Sequence, residues 1–335
     1  MSKIFVSGVA GFLGSHIAET MLKKGHTVVG IDSMIGGDLD NVPADVVFYE
    51  MPCQALPEYP GVMRGVDIVY HCAALAYEGL SVFSPYTVVE NIVGASTAIF
   101  SAAIQCDVRR IVHCSSMARY GAICPPFTED QVCYPQDPYG IAKLAAEKIL
   151  INLAQVHGVE HVIAVPHNII GPRQKYDDPF RNVAAIMINR MLQGKQPIIY
   201  GDGTQKRCFS FVGDCVSCLV RMGTDRDIVG HVVNIGPDEG AVTINGLADV
   251  TAKVTGFQGL DPIYMPGRPQ EVKIALCSSN KVRHMLGYKT RTTLYDGLLE
   301  MAEYIRKRGV RPFEYHLPIE IMSPKTPKTW TDRIF

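Results

Sequence analysis

A tyrosine and a lysine stand four residues apart, at Tyr139 and Lys143, in a segment whose apolar spacing predicts a helix. Residues at this separation share one face of an α-helix, so the phenol and the ammonium can point the same way. An ordinary tyrosine has a pKa near ~10 and is a poor base at neutral pH. A nearby ammonium favours the phenolate, which could then take a proton from an alcohol. Most such pairs, however, lie on a solvated helix face, so the surrounding sequence has to decide between the two readings.

Two serines precede this helix at the end of an apolar run that predicts a strand. They are Ser115 and Ser116, in "RRIVHCSS". Open α/β sheets bind ligands beyond the carboxyl ends of their strands. A serine at that edge can hydrogen-bond both a substrate hydroxyl and the tyrosine.

A glycine-rich loop near the start of the chain predicts a phosphate site. Gly8, Gly11 and Gly14 lie between the first predicted strand and the first predicted helix, and Asp32 ends the second strand eighteen residues after Gly14. Glycine lets the backbone approach a ligand, and the helix N-terminus offers unpaired N–H groups to a pyrophosphate. A carboxylate at this spacing accepts hydrogen bonds from an adenosine ribose and repels a 2′-phosphate. The pattern favours NAD over NADP, although glycines that only ease helix packing, with Asp32 in a turn, would look similar.

The elements that position these residues alternate between strand and helix through the first half of the chain. This rhythm predicts an α/β fold of the Rossmann type, with a doubly wound parallel sheet and a smaller mixed α/β substrate lobe. The predicted strands are at 3–8, 27–32, 45–50, 66–74, 109–116 and 160–168. We expect an NAD-binding domain at 1–171, to which parts of 209–236 return, a substrate lobe at 172–208 and 237–309, and a tail at 310–335.

Composition excludes several classes of protein. The formal net charge is −1, so a nucleic-acid-binding surface is not expected. No segment reaches the roughly 20 apolar residues of a membrane span, and the first residues lack a signal-peptide pattern. Ten scattered cysteines predict a reduced, cytoplasmic protein. The one CxxC, Cys215 to Cys218, lacks further ligands nearby, so no metal site is expected.

The ordered motifs resemble the extended short-chain dehydrogenases/reductases. Within them, the chain is most similar to the nucleotide-sugar epimerase/dehydratase group, especially UDP-glucose/UDP-galactose 4-epimerase-like proteins. The likeness runs from about residue 3 to residue 307 and is carried by "GVAGFLG", Asp32, "HCAA", "CSSMARYG", "YGIAK" and "PHNIIGPRQ". It implies NAD as cofactor and Ser116, Tyr139 and Lys143 as catalytic residues. Ser116 is preferred because the family counts back four residues from the tyrosine of "YG", here Tyr120.

The same resemblance implies the ligand contacts. The cofactor site comprises the glycine loop, the acidic strand end and the loops beside the nicotinamide: Gly8, Gly11, Phe12, Leu13, Gly14, Asp32, Ser33, Glu50, Met51, Cys72, Ala73, Ala74, Asn91, Tyr139, Lys143 and Pro166. The substrate site comprises Ser116, Asn168, Asn182, Val183, Tyr200, Arg207, Arg268, Glu271 and Ala275. In it, Arg207 and Arg268 are expected on the diphosphate, Glu271 on the nucleotide ribose and Tyr200 against the base. Glu50 and Met51 depart from the Asp-Leu that the family often carries at the adenine.

The resemblance also separates the reactions that share this scaffold. The similar 4,6-dehydratases carry an Asp-Glu pair after the catalytic Ser/Thr, where this chain has Met117 and Ala118, which cannot transfer protons. The expected reaction is reversible 4-epimerisation of a UDP-hexose through a 4-keto intermediate. The small Ala275 predicts that UDP-GlcNAc/GalNAc is accepted beside UDP-glucose/galactose. The alternatives are a dehydratase, a 4-reductase or other simple dehydrogenase, a UDP-uronate epimerase with Arg119 on the carboxylate, or a non-catalytic dinucleotide-binding protein.

The helices at about 87–105 and 139–157 carry many small and apolar residues. Similar proteins pair these helices in a four-helix dimer interface, so a homodimer is expected. Burial of the same faces against the chain's own sheet is the alternative.

Overall fold

The structure is a computed structural model that describes residues 1–335. Its strands are β1 (Lys3–Ser7), β2 (Thr27–Asp32), β3 (Val47–Glu50), β4 (Ile68–His71), β5 (Arg110–Cys114), β6 (Glu160–Pro166), β7 (Ile169–Ile170), β8 (Ile198–Tyr200), β9 (Lys206–Arg207), β10 (Ser210–Phe211), β11 (Val232–Ile235), β12 (Val242–Thr243), β13 (Ile263–Met265) and β14 (Ile274–Ala275). Its helices are α1 (Phe12–Lys23), α2 (Glu78–Ser81), α3 (Pro85–Val89), α4 (Ala95–Gln105), α5 (Pro138–His157), α6 (Val183–Leu192), α7 (Val212–Met222), α8 (Ile244–Thr255), α9 (Asn280–Leu286), α10 (Leu294–Arg308) and α11 (Lys328–Thr331).

Seven parallel strands form the central sheet, in the order β11-β6-β5-β4-β1-β2-β3. Every residue of β4 and β5 is buried, as expected for strands covered by helices on both faces. The order reverses at β1, so the loops after β1 and β4 diverge and open a crevice at the carboxyl edge. The predicted doubly wound fold is confirmed. The seventh strand, β11, was not predicted.

Two hydrophobic clusters hold the helices on opposite faces of the sheet. One includes Ile17 of α1 and Leu219 of α7, together with the CxxC residues Cys215 and Cys218. The other includes Phe100 of α4 and Leu150 of α5. All ten cysteines are free thiols, and no group of three or more His, Cys, Asp or Glu side chains is arranged to hold a metal ion.

The substrate lobe is built from α6, α8 and α10, whose apolar faces share a third cluster, and from short strand pairs. β8 pairs with β13, and β9 pairs with both β12 and β14. The segment between the two parts of this lobe returns to the first half of the chain: β10 pairs with β7, α7 packs on α1, and β11 joins the central sheet.

The tail, residues 310–335, folds back over both halves of the protein. Glu320 accepts hydrogen bonds from the backbone N–H groups of Tyr86 and Thr87 at 2.9 and 2.8 Å. Trp330 is buried, with its ring edge-on to Phe83 and Phe180. The tail is therefore an ordered strap.

One continuous helical segment, Pro85–Gln105, is long and apolar enough to cross a membrane by length and composition alone, so the expectation that no segment reaches that length is wrong. It consists of α3, a π-helical turn at Glu90–Gly94, and α4. Half of its most apolar 18-residue window is buried inside the protein, and the core helix of a globular protein meets the same criterion.

Candidate active site

A cleft with a volume of about 470 Å³ lies between the carboxyl edge of the central sheet and the substrate lobe. Its lining includes every cofactor and substrate residue predicted from the sequence except Glu50 and Met51. Glu50 is exposed at the end of the edge strand β3. Cys53 and Gln54, on the following turn, line the cleft instead of that pair.

The phosphate loop, Gly8 to Gly14, leaves no room for side chains at two of its glycines. Gly8 has φ +73°, and a Cβ there would come within 2.9 Å of the Ala73 backbone. A Cβ on Gly14 would collide with the Gly8 carbonyl oxygen. Since α1 begins at Phe12, the N–H groups of its first turn lack intrahelical partners. This cradle fits a dinucleotide pyrophosphate.

Asp32 is held at the end of β2 by backbone donors. Its carboxylate accepts hydrogen bonds from the N–H groups of Ala10 at 3.0 Å and Met34 at 2.9 Å. Burial raises the pKa of Asp32, and the backbone donors and the Arg181 guanidinium oppose that rise. The carboxylate lines the cleft and fits a ribose hydroxyl pair, so the residues present are those that NAD requires.

Tyr139 and Lys143 lie on the first turns of α5. Pro138 occupies the first helical position, and the Asp137 side chain caps the helix by accepting from Gly140 N–H at 2.9 Å. The Lys143 ammonium is 6.0 Å from the centroid of the Tyr139 ring and donates to the Cys114 carbonyl at 2.9 Å. Helix start and spacing therefore bring both groups into the cleft.

Burial is the largest cause of the pKa shifts of both Tyr139 and Lys143. It raises the pKa of Tyr139, which the nearby Ser116 hydroxyl lowers, and it lowers the pKa of Lys143 to about 8. Among charged neighbours, Glu78 raises the pKa of Tyr139 and Arg181 lowers it. Arg181, which the sequence did not suggest, thus acts on the phenol from the substrate side.

The two serines after β5 separate into different environments. Ser116 lines the cleft, and its hydroxyl oxygen accepts from Ala118 N–H at 3.2 Å. The Ser115 hydroxyl donates to Glu147 of α5. Arg119 pairs with the same carboxylate at 3.0 Å and lies outside the cleft lining, so the expectation that it meets a substrate carboxylate is wrong. The Arg119 guanidinium forms an ion pair with Glu147, a buried acid on α5, instead.

The predicted diphosphate arginines lie on the far wall of the cleft. Arg207 donates to the Val272 carbonyl at 2.6 Å, and Arg268 donates to Glu271 at 2.9 Å. The Arg268 guanidinium also lies 4.7 Å from the centroid of the Tyr200 ring. One face of Tyr200, which was expected against the base, is therefore covered by a cation.

The two predicted asparagines are fixed by the backbone. Asn168 has φ +43°, and its amide donates to the Cys208 carbonyl at 3.0 Å. The Asn182 side chain caps α6 by accepting from Ala184 N–H at 2.9 Å. Because that oxygen is committed to the cap, the N-terminus of α6 and Val183 are what this segment offers to an anionic ligand.

Two charged residues of the cleft were missed by the sequence reasoning. Glu78 lies in α2, where burial and then the charge of Asp137 raise its pKa to about 7, although its side chain is open to the cleft. Arg181 precedes α6, in the stretch "DPFRNVAAIMINRMLQG", whose apolar spacing by itself predicts a helix from residue 178. The only signal for Arg181 was its position beside Asn182, and Glu78 had none.

Comparison with known proteins identifies the family. The chain matches the NAD dependent epimerase/dehydratase family over residues 4–236. It is 30% identical to the uncharacterized UDP-glucose epimerase YtcB of Bacillus subtilis (strain 168), with 90% of this chain and 98% of the relative covered.

Two solved structures extend the likeness to the fold. One is UDP-glucose 4-epimerase from Thermotoga maritima with UDP-glucose, at 28% identity and TM-score 0.86, covering 91% of this chain and 99% of that one. The other is UDP-glucuronic acid 4-epimerase from Bacillus cereus in complex with UDP-glucuronic acid and NAD, at 28% identity and TM-score 0.85, covering 92% and 100%.

The chain therefore belongs to the NAD dependent epimerase/dehydratase family. It is an enzyme of that family, with NAD as its cofactor and an activity of the UDP-sugar epimerase/dehydratase type. The family that the motifs predicted is confirmed.

Proposed function

We propose that this enzyme catalyses the reversible 4-epimerisation of a UDP-hexose with NAD held through the cycle. The observation that carries the proposal is the convergence in one cleft of the phosphate loop, the Ser116, Tyr139 and Lys143 side chains, and two arginines on the opposite wall. The phosphate loop suits a dinucleotide, the three side chains can act on an alcohol, and the two arginines can bind a diphosphate. The absence of an acid at Met117 and Ala118 disfavours elimination of water.

Each residue of the cleft has a part in this scheme. Tyr139 takes the proton of the sugar O4 hydroxyl and later returns it, while Ser116 orients that hydroxyl. Lys143 holds the nicotinamide ribose, and its charge favours the phenolate. When bound, NAD supplies the acceptor and then the donor of the C4 hydride, so the sugar passes through a 4-keto form. Arg207 and Arg268 hold the diphosphate while the sugar turns its other face.

The choice of sugar rests on two residues. Ala275, at the cleft wall beside Arg207, leaves room for a 2-acetamido group, so we include UDP-GlcNAc/GalNAc with UDP-glucose/galactose. Glu78 lines the same cleft, and the next residue, Gly79, lies against Arg268, because an added Cβ would come within 3.1 Å of its Nη1. We therefore place Glu78 beside the space that the sugar crosses. A carboxylate there repels a uronate and accepts hydrogen bonds from a neutral sugar. With Arg119 engaged elsewhere, a neutral hexose is favoured over a uronic acid.

The test is a panel of UDP-sugars incubated with the purified enzyme and followed by proton NMR. UDP-glucose and UDP-galactose should interconvert, with any NADH remaining bound to the protein. Steady NADH release into solution would identify a dehydrogenase instead. Failure to convert any member of the panel, despite bound NAD, would favour a non-catalytic dinucleotide-binding protein.

A further inference from the structure

Arg181 reaches from the substrate lobe into the cofactor half of the cleft. It lies in the loop before α6, and its guanidinium carbon is 4.7 Å from the centroid of the Tyr77 ring, which belongs to the loop after β4. The guanidinium nitrogen Nη2 packs against Gly36, because a Cβ added to that glycine would come within 2.5 Å of Nη2. The side chain is 21% exposed and lines the cleft.

The hydrogen-bonding capacity of this guanidinium is largely unused. The nearest carboxylate, Asp178, already accepts from the Tyr77 hydroxyl at 2.7 Å and from Phe180 N–H at 2.9 Å. Arg181 Nε stands 3.5 Å from Asp178 Oδ2, and this buried atom has no hydrogen-bond partner. Asp178 therefore pairs with Arg181 only at the long limit of an ion pair, and the terminal N–H groups of the partly exposed guanidinium are free to donate to an anion in the cleft.

The neighbours of Arg181 indicate which anion. Gly36 precedes Gly37, whose added Cβ would come within 2.9 Å of the Ala10 side chain, and the next residue, Asp38, donates to the Ala10 carbonyl at 3.0 Å. The segment that Arg181 touches therefore packs on the phosphate loop. The Arg181 charge also acts on both Asp32 and Tyr139, at the ribose end and the catalytic end of the cofactor site.

The phosphate loop itself brings no cation to this place. From Gly8 to Ser15 it contains no lysine or arginine, and Arg207 and Arg268 lie on the wall that carries Glu271. A pyrophosphate held by helix N–H groups alone keeps most of its charge unpaired.

We propose that Arg181 donates hydrogen bonds to the diphosphate of bound NAD and so clamps the cofactor from the substrate lobe. The inference rests on NAD being retained, as the proposed epimerase requires. Because Asn182 and Val183 follow directly and begin α6, one short segment then contacts both the cofactor and the sugar nucleotide. Cofactor retention and substrate binding are coupled through it.

The test is the pair Arg181→Met and Arg268→Met in the full-length protein, with the Kd values of NAD and UDP measured by calorimetry on nucleotide-stripped enzyme. Because Arg181→Met loses a charge-assisted contact, its Kd for NAD should rise on the order of 30-fold, while its Kd for UDP should change by less than about threefold. Arg268→Met should show the reverse pattern. Arg181→Lys, which keeps the charge but loses the planar fork, should fall between wild type and Arg181→Met for NAD.

The opposite results are equally informative. Wild-type NAD affinity in Arg181→Met, or loss of UDP binding with NAD intact, would overturn the assignment. If Arg181→Met unfolds below the assay temperature, Arg181→Lys is the variant that tests the proposal. An NAD affinity of Arg181→Lys equal to that of the wild type would also count against a bidentate contact. These titrations need no turnover, so they remain decisive even if no UDP-sugar is converted.

Discussion

At the residue scale, the proposed catalytic pair, Tyr139 and Lys143, is not ready for base chemistry in the protein alone. Burial raises the pKa of Tyr139 and lowers the pKa of Lys143 to about 8, so in the free protein both groups are pushed toward their neutral forms. A phenolate therefore depends on positive charge near Tyr139, where Arg181 lowers the pKa and the Lys143 ammonium lies 6.0 Å from the ring centroid. In the proposed mechanism, NAD in its cationic form would add to this charge. This coupling gives the cofactor an electrostatic part in proton transfer.

Replacing the phenol hydroxyl tests its role directly. Tyr139→Phe should lower kcat by ~10²–10⁴-fold, the range for losing a positioned general base, with NAD content unchanged. Tyr134→Phe, which alters an exposed tyrosine outside the cleft, should behave like wild type. Epimerisation rates from coupled assays and bound NAD from absorbance give the two readouts. Wild-type turnover in Tyr139→Phe would remove Tyr139 from the mechanism.

Glu78 should make the discrimination against uronates depend on pH. Its pKa is raised to about 7, so the carboxyl is charged above that pH and neutral below it. As the pH falls from 8 to 6, the inhibition constant of UDP-glucuronate relative to UDP-glucose should drop on the order of tenfold, because the repulsion disappears. The fixed charges of Arg207 and Arg268 act on both ligands alike.

Glu78→Gln is the matched control for this effect. It keeps the shape and removes the charge, so the ratio of the two inhibition constants should be low and flat across the same pH range. A wild-type ratio that stays constant between pH 8 and 6 would show that Glu78 does not face the sugar.

At the element scale, the tail holds the substrate lobe near the cofactor half. Trp330 packs edge-on at 5.3 Å from the Phe180 ring, one residue before Arg181, and Thr329 bonds the Tyr200 hydroxyl. Trp330→Ala should lower the free energy of unfolding by ~3 kcal/mol, as large-to-small changes in a core do. Urea denaturation followed by circular dichroism measures this.

Ile321→Ala in the same strap is the comparison for that change. Its side chain is about half exposed, so the loss should stay within ~0.5 kcal/mol. If both variants lose the same small amount, the tail is not a structural part of the cleft.

The elements that sequence could predict are those with a local signal. The strands through β6 are continuous apolar runs, and the glycine loop with Asp32 has a fixed spacing, so the fold and the cofactor half were predicted. β11 is a short run whose place beside β6 depends on a long-range pairing. The start of α6 was misplaced because an Asn182 cap overrides the helical pattern before it. Arg181 was missed as a consequence, since nothing local shows that a loop crosses the cleft.

At the scale of the whole molecule, the net charge is only −1, so any affinity for anions has to come from cations placed locally in the cleft. Arg207 and Arg268 come from one wall and Arg181 from a loop that bridges the two halves. The cations that line the cleft thus come from both lobes, and the cleft is complete only when the two lobes are together. The cytoplasmic location stays a prediction.

The homodimer also remains a prediction, and the surface of two helices supports a test of it. The segment Pro85–Gln105 packs against α5, and the pair leaves Tyr86, Gly94 and Ile141 exposed. Two copies related by a two-fold axis would bury the same patch on each chain and form a four-helix bundle. Sedimentation equilibrium should give twice the chain mass of 36.8 kDa at micromolar concentration.

Ile141→Glu should shift this mass to that of the monomer, because two carboxylates would be brought together in an apolar interface. Val132→Glu introduces the same charge at another exposed apolar position and should leave the dimer intact. Melting temperatures of both variants within a few degrees of wild type would show that the chain itself still folds. A dimer that persists in Ile141→Glu would place the interface elsewhere, and a monomeric wild type would mean that the exposed face of α5 has no partner in a second copy.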